Sequence, residues 1–266
     1  MGQRGTRGVV ARRLTDAVLL AIDGLAVVLL SPRCAACDRP LEHPTSGAVC
    51  GICWASILPL TPPLCDVCGD PLPTLNGRTV CRSCGGTTHP VSRARAIGAY
   101  DDPLRAIVHA LKYDARRSLA RPLGEMMLAR GADVLEGASC VVPVPLHPSR
   151  RRERGFNQAR DLARQLGLPV IEALARVRRT PPQTELSAQE RRKNLDGAFA
   201  TTSHVRKLIG ATVVLVDDVS TTGATLDACA QALKNAGVSE VRALTAARVL
   251  TQPTTDLAAA RTSVAI

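Results

Sequence analysis

A chain of 266 residues, 45% of them apolar, is long enough to bury a substantial core and to divide into two domains with extensions. Its formal net charge of +11 suits a polyanionic partner, whether nucleotide, pyrophosphate or nucleic acid. Arginine supplies nearly all of that charge, because the only lysines are Lys112, Lys193, Lys207 and Lys234. Guanidinium favours bidentate phosphate contacts, although a codon bias toward arginine accounts for the excess equally well. Aromatic residues are limited to Trp54, Tyr100, Tyr113, Phe156 and Phe199, which argues against base-stacking surfaces for nucleic acid.

The most hydrophobic stretch, Leu14 to Leu30, follows a basic segment, Arg4 to Arg13. Asp16 and Asp23 interrupt it, so the expectation is a helix packed on the protein, without membrane insertion. That reading places the chain in the cytoplasm, where thiols stay reduced and clustered cysteines signify metal before disulfides. Eight of the ten cysteines then follow as four C-x-x-C pairs: Cys34/Cys37, Cys50/Cys53, Cys65/Cys68 and Cys81/Cys84. Each of the first four recurs 31 residues later, and Pro40-Leu41 is matched by Pro71-Leu72, so one unit has been duplicated. Two thiolate turns joined by about a dozen residues close a tetrahedral Cys₄ shell around Zn²⁺, and four protein ligands make such a site structural. The repeat predicts two structural Zn²⁺ ions, one on Cys34, Cys37, Cys50 and Cys53, the other on Cys65, Cys68, Cys81 and Cys84. A cross-braced pairing is the alternative. His43 and His89 read as surface residues.

Beyond Pro90, Leu104, Ile107, Val108 and Leu111 fall at helical spacing behind Pro103, predicting an amphipathic helix to Lys112. His109 reads as packed or surface. A second helix is expected at about Leu119 to Arg130. Val141 to Pro145 is a short strand broken by prolines, and a basic loop, Leu146 to Gln158, carries Arg150, Arg151, Arg152 and Arg154. That loop is either an anion-handling segment or a solvated face. Asn157 is placed to cap a helix running to about Leu166, with Gly167 as its stop. From about Leu174 to Asn194 the chain is polar and basic, including Arg176, Arg191, Arg192 and Lys193; it is a functional lid or disordered.

The stretch Val213-Val-Leu-Val-Asp217-Asp218-Val-Ser-Thr221-Thr222-Gly223-Ala224-Thr225 concentrates the chemistry. Four apolar β-formers predict a strand from about Leu208 to Val216, buried on both faces in a parallel sheet. In such sheets ligands bind outside the carboxyl ends of the strands. Thr221, Thr222, Gly223, Ala224 and Thr225 can offer backbone N–H groups and hydroxyls at a helix N-terminus, an arrangement that holds a phosphate monoester. Asp217 and Asp218 suit sugar hydroxyls or a divalent metal, so the expected ligand is a phosphorylated sugar. The following helix puts Leu226, Cys229, Ala230 and Leu233 on one face and stops at Gly237. Val241 to Ala246 is a further strand ending near Arg248.

The acids and the T-T-G-x-T loop resemble the 5-phosphoribosyl-1-pyrophosphate (PRPP) motif of type I phosphoribosyltransferases. Further stretches narrow the likeness: Tyr100, Pro103-Leu-Arg105, Lys112-Tyr113, Pro143-Val-Pro145-Leu146, Arg154-Gly-Phe-Asn-Gln158, Arg179-Thr180, Gln183-Thr184, Arg191, Asn194 and Gly197-Ala-Phe199. Together with the cysteine repeat they resemble the ComF family, from about Pro32 to Arg248. The resemblance implies an α/β type I phosphoribosyltransferase-like parallel sheet flanked by helices, with a small N-terminal double zinc-ribbon module. It divides the chain into a basic segment and helix (1–31), the double ribbon (32–90), the transferase-like domain (91–250) and a tail (251–266). It also implies PRPP with Mg²⁺, catalytic Asp217 and Asp218, and a 5-phosphate loop at Thr221–Thr225. Arg150, Arg151 and Arg154 become pyrophosphate candidates, and Arg191, Arg192 and Lys193 lid candidates. The family context is uptake of single-stranded DNA with DNA-uptake proteins, so a non-enzymatic adaptor is the second expectation. Thr221 stands where purine transferases often carry an acid, which makes a purine acceptor doubtful. A P-loop NTP hydrolase is disfavoured, since no G-x-x-x-x-G-K-[ST] occurs.

Overall fold

The computed structural model describes residues 18–73, 77–86, 88–178, 195 and 197–250. The chain forms two units, Met1–Ser56 and Ile57–Ile266. The first contains helix α1 (18–30), the Cys34–Cys53 ribbon and a short helix α2, Gly51–Ala55. Helix α1 is not packed as the sequence suggested. Leu20, Leu25, Val28, Leu29 and Leu30 are exposed, and the helix is tied to its ribbon through Asp23, whose carboxylate accepts from Thr45 N at 2.8 Å and meets His43 at 3.4 Å. Among the described residues no helix is long and apolar enough to cross a membrane.

In the second unit, the apolar run that follows Ala211 becomes the centre of the sheet. Strand β5, Thr212–Ser220, has Val213, Val214, Leu215 and Val216 at 0% exposure, as expected of a strand covered on both faces. It starts later than Leu208, because Ser203–Leu208 is a 3₁₀ turn capped by Thr202, and it continues through both acids. The parallel sheet runs β1 (Arg93–Ala99), β6 (Glu240–Arg248), β5, β2 (Cys140–Pro143), and a parallel bridge from Val141 to Val170 extends it. Right-handed crossovers carry the helices of such sheets to their faces. Here these are α3 (Leu104–Tyr113), α4 (Ala120–Arg130), α5 (Ala132–Leu135), α6 (Pro148–Arg154), α7 (Gln158–Ala163) and α8 (Ala224–Asn235). A two-stranded antiparallel ribbon, β3 (Leu174–Arg176) with β4 (Phe199–Thr201), flanks α8.

Helix α3 matches its sequence periodicity and α4 its expected span, with Ile107, Val108, Leu111, Leu123 and Met127 wholly buried. The basic stretch expected as a loop is instead the helix α6, begun by Pro148 and capped by His147 Nδ1 accepting from Ser149 N at 3.3 Å. Asn157 caps α7, as its residue type predicts: Oδ1 accepts from Ala159 N at 3.1 Å while Nδ2 donates to Val144 O at 3.0 Å. One side chain thereby fixes the helix start to the end of β2. Leu226, Cys229, Ala230 and Leu233 are buried on α8, as expected.

The second cysteine module belongs to this unit. Its first knuckle lies along the outer edge of β1, where Ala94 N donates to Val67 O at 2.7 Å and Arg95 Nη1 to Cys65 O at 3.3 Å. Gly69, at φ +77°, backs onto that edge so closely that a Cβ would stand 2.6 Å from Ala94 O. A strand edge left open is a template for unwanted pairing, and the knuckle closes it.

Candidate functional site

At the carboxyl end of β5, alternation sends consecutive acids to opposite sides of the sheet. Asp218 turns toward α3 and accepts from Lys112 Nζ at 2.9 Å; both side chains are largely buried. Burial works against the Lys112 charge, but Asp218 and then Asp217 outweigh it and leave its pKa raised. Asp217 accepts from Asp218 N at 2.8 Å and interacts electrostatically with Lys112, Arg176 and the buried Cys229 thiol. Desolvation first, and the neighbouring Asp218 charge second, raise it to about 7 despite Lys112 and Arg176. The pair is thus one carboxylate committed to an ammonium and one that titrates near neutrality.

The chain leaves β5 through Thr221 and Thr222, turns at Gly223 (φ +79°, the left-handed region where glycine is unstrained) and enters α8. Thr222 Oγ1 accepts from Ala224 N at 3.4 Å. The amides of Thr221, Thr222, Gly223 and Thr225 are not spent on backbone carbonyls among the described residues. They are grouped at the start of a 12-residue helix, the geometry that suits an anion.

The basic residues divide by position. Arg154 stacks over Tyr113, with its guanidinium carbon 4.8 Å from the ring centroid, and donates to Gln158 Oε1 at 3.1 Å, so it braces α6 against α3. Arg151 and Arg152 are exposed, and with Arg176 and His204 they line a cavity of about 640 Å³ at the end of β2. Arg150 lies near enough to Arg176 to depress its pKa alongside desolvation. Arg191, Arg192 and Lys193 lie outside the described residues. Two residues that interact with the acids were given no site role from sequence. Lys112 read as a helix end, and its signal was being one of four lysines in an arginine-rich chain. Arg176 was merged into the basic stretch around it, but it ends β3 and sits over Phe199 at 5.4 Å.

The cysteines assemble in the sequential pairing, and the cross-braced alternative is set aside. Cys34, Cys37, Cys50 and Cys53 form one cluster and Cys65, Cys68, Cys81 and Cys84 the other, with all sulfurs of each within 4.8 Å. Sγ separations of 3.9 Å for Cys34–Cys53 and Cys37–Cys50, and 3.7 Å for Cys68–Cys81, fit zinc. A tetrahedron with Zn–S of about 2.3 Å has edges of about 3.8 Å. His43 and His89 belong to neither cluster. His89 is not a surface residue: its side chain is 12% exposed and faces Asp227 at 3.7 Å.

Comparison with known proteins agrees with this architecture. The double zinc ribbon domain model matches residues 25–92 and the phosphoribosyl transferase domain model residues 152–263. Competence protein F of Haemophilus influenzae is 33% identical over 156 residues, covering 55% of this chain and 68% of that protein. DNA utilization protein YhgH of Salmonella typhimurium is 36% identical over 171 residues, 60% of this chain and 74% of its own. Competence protein ComFC of Bacillus subtilis is 29% identical over 144 residues, 54% and 58% of the respective chains. Among solved structures, a hypoxanthine phosphoribosyltransferase from Staphylococcus aureus aligns at 14% identity over 52% of this chain and 69% of that one. Its TM-score of 0.29 is too low to support an argument.

Proposed function

This chain belongs to the ComF family, and on that premise we propose that it binds PRPP or a similar phosphorylated sugar with Mg²⁺ and transfers the pentosyl group, with pyrophosphate as leaving group. The observation that carries the reading is the end of β5, where two acids and a cluster of amides unspent among the described residues share one turn before α8. The loop amides and the hydroxyls of Thr221, Thr222 and Thr225 receive the 5-phosphate. Asp217 and Asp218, the catalytic pair, accept from the ribose hydroxyls, and Lys112 orients Asp218 from beneath. Because Asp217 titrates at about 7, its hydroxyl-accepting form grows as the solution passes through neutrality. Carboxylates are the donors Mg²⁺ takes, and when bound it neutralises charge on the departing pyrophosphate. Arg150 and Arg151, with Arg176 behind them, balance the same charge from the α6 side. Arg154 braces α6 and acts indirectly.

The names of the relatives support a place in competence and the use of DNA; we place the chain in the cytoplasm, with DNA-uptake proteins as partners. In this reading the double ribbon is a structural module holding two zinc ions. Titration of Mg·PRPP against wild type and the Asp217→Asn/Asp218→Asn chain tests the pocket. Wild type should bind at least tenfold more tightly, and equal binding defeats the assignment. Pyrophosphate release over a panel of acceptors then separates transferase from binder.

A second reading rests on the exposed Arg151 and Arg152 and on Thr221, a poor base for an acceptor. In it the chain is a single-stranded-DNA adaptor whose sugar-phosphate pocket is a sensor. That reading requires DNA affinity that falls steeply with salt and with Arg150/Arg151/Arg152→Ala. A flat salt response excludes it.

A further inference from the structure

The second ribbon reaches the phosphate loop from both ends. Before the loop, Arg248 at the end of β6 is 5% exposed and joined through Nε to Asp70, itself 5% exposed, beside the Cys65–Cys68 knuckle. The same guanidinium donates from Nη1 to Ser220 Oγ at 3.2 Å, and Ser220 is the residue immediately preceding Thr221. Backbone pairing reinforces this, since Val249 N donates to Ser220 O at 2.8 Å. After the loop, His89, just past the second cysteine cluster, faces Asp227 in the first turn of α8 at 3.7 Å, and Asp227 N closes that turn on Gly223 O at 2.9 Å. Between these two ties a cavity of about 150 Å³ separates Val67 and Cys68 from Thr222 and Gly223. Among the described residues the loop's underside faces this cavity, and its two ends are held by the ties just described.

We propose that Asp70, Arg248 and Ser220, together with His89 and Asp227, are positioning residues through which the second ribbon holds the phosphate loop in its anion-binding shape. The duplication marks the role as specific to one copy. Arg39 occupies in the first ribbon the place of Asp70 in the second, and it turns to its own Cys37 Sγ at 3.4 Å. A buried carboxylate with a guanidinium partner is costly to leave unpaired, so its presence beside a loop that borders a cavity needs a reason.

The inference rests on the sugar-phosphate reading only for its ligand measurement; the loop itself can be followed in the ligand-free chain. Full-length Asp70→Asn and Ser220→Ala proteins, each verified to contain two zinc ions, are compared with wild type by hydrogen exchange. Amides 221–227 should exchange at least tenfold faster in Asp70→Asn and severalfold faster in Ser220→Ala, while β2 (140–143) is unchanged. Ser220→Ala leaves the Asp70–Arg248 pair intact, so it remains informative if Asp70→Asn folds poorly. Titration with ribose 5-phosphate should show affinity falling in the same order, with His89→Ala between wild type and Asp70→Asn. Unchanged exchange at 221–227, or an acceleration shared equally by β2, overturns the proposal. Loop exchange that responds in a chain whose wild type binds no ribose 5-phosphate upholds the positioning role and defeats the ligand reading instead.

Discussion

In the first ribbon Cys34 N donates to Arg39 O at 2.8 Å, Asp38 N to Cys34 O at 3.0 Å and Cys50 N to Cys34 Sγ at 3.3 Å. In the second, Cys65 N donates to Asp70 O at 2.8 Å, Gly69 N to Cys65 O at 3.0 Å and Cys81 N to Cys65 Sγ at 3.3 Å. The copies share a backbone and diverge at the positions that face outward from the knuckle. Asp38 and Gly69 both adopt positive φ, +58° and +77°. In the first copy that residue is an exposed aspartate paired with Arg33 at 3.1 Å. In the second, a side chain would collide with β1, and only glycine fits. The shared cysteine spacing thus comes with one knuckle shape, and the residues just after the second cysteine decide what the knuckle is attached to.

The largest test of this contrast removes one ligand from each cluster. Cys50→Ser and Cys81→Ser should each lower zinc content from two to one, forfeiting about 10 kcal/mol of metal-coupled folding free energy at that site. Circular dichroism melts and ribose 5-phosphate titration should find the second unit intact after Cys50→Ser and disrupted after Cys81→Ser. Equal damage from both would erase the distinction.

Next in size is a pH effect confined to the second unit. Asp217 titrates at about 7 rather than its ordinary 3.8, so between those values the folded chain keeps a proton that the unfolded chain has released. Stability should therefore fall as pH rises through this window, by about 2–4 kcal/mol, against Asp218, Lys112 and Arg176 as its charged neighbours. Denaturant unfolding from pH 4.5 to 7.5 should show the slope in wild type and in Cys50→Ser, and lose it in Asp217→Asn.

Substitutions at the repeated turn should have opposite signs. Gly69→Ala should cost about 2–3 kcal/mol in urea unfolding, from positive φ plus the clash with Ala94 O. Asp38→Gly, which relieves a left-handed aspartate, should be neutral or stabilising by up to about 1 kcal/mol. The smallest effect belongs to Arg39, whose guanidinium is the leading cause holding the Cys37 thiol at about 6. Arg39→Ala should raise the pH midpoint of zinc release from the first cluster by about half a unit, followed with a metal indicator.

The sequence carried the elements whose identity is set by local pattern: the duplicated cysteines, the apolar run of β5, the i, i+3, i+4, i+7 face of α3 and the Asn157 cap. The strand, the helix face and the cap depend on neighbours within a dozen residues, and the cysteines on a fixed repeat of 31. The basic stretch at 148–154 was misread as a loop because its charge pattern hid a Pro-initiated, His-capped helix. Helix α1 was expected to pack because it is apolar, yet hydrophobicity alone does not supply a covering partner. Within the candidate site, Asp217, Asp218 and the threonine loop were legible as a motif. Lys112 and Arg176 were not, since each reaches the acids from a separate element about 100 and 40 residues away, a relation that no local spacing encodes.

The strand order also sets a timetable. β6 lies between β1 and β5 and pairs with both, Arg93 with Arg242 and Thr212 with Glu240, so the sheet cannot close until the chain has been synthesised to residue 248. Until then β1 has no strand partner on its inner side, while the knuckle that covers its outer side is made of residues translated earlier and folded by their own metal. A ribbon docked there leaves β1 one free edge, and the last strand has a single place to enter.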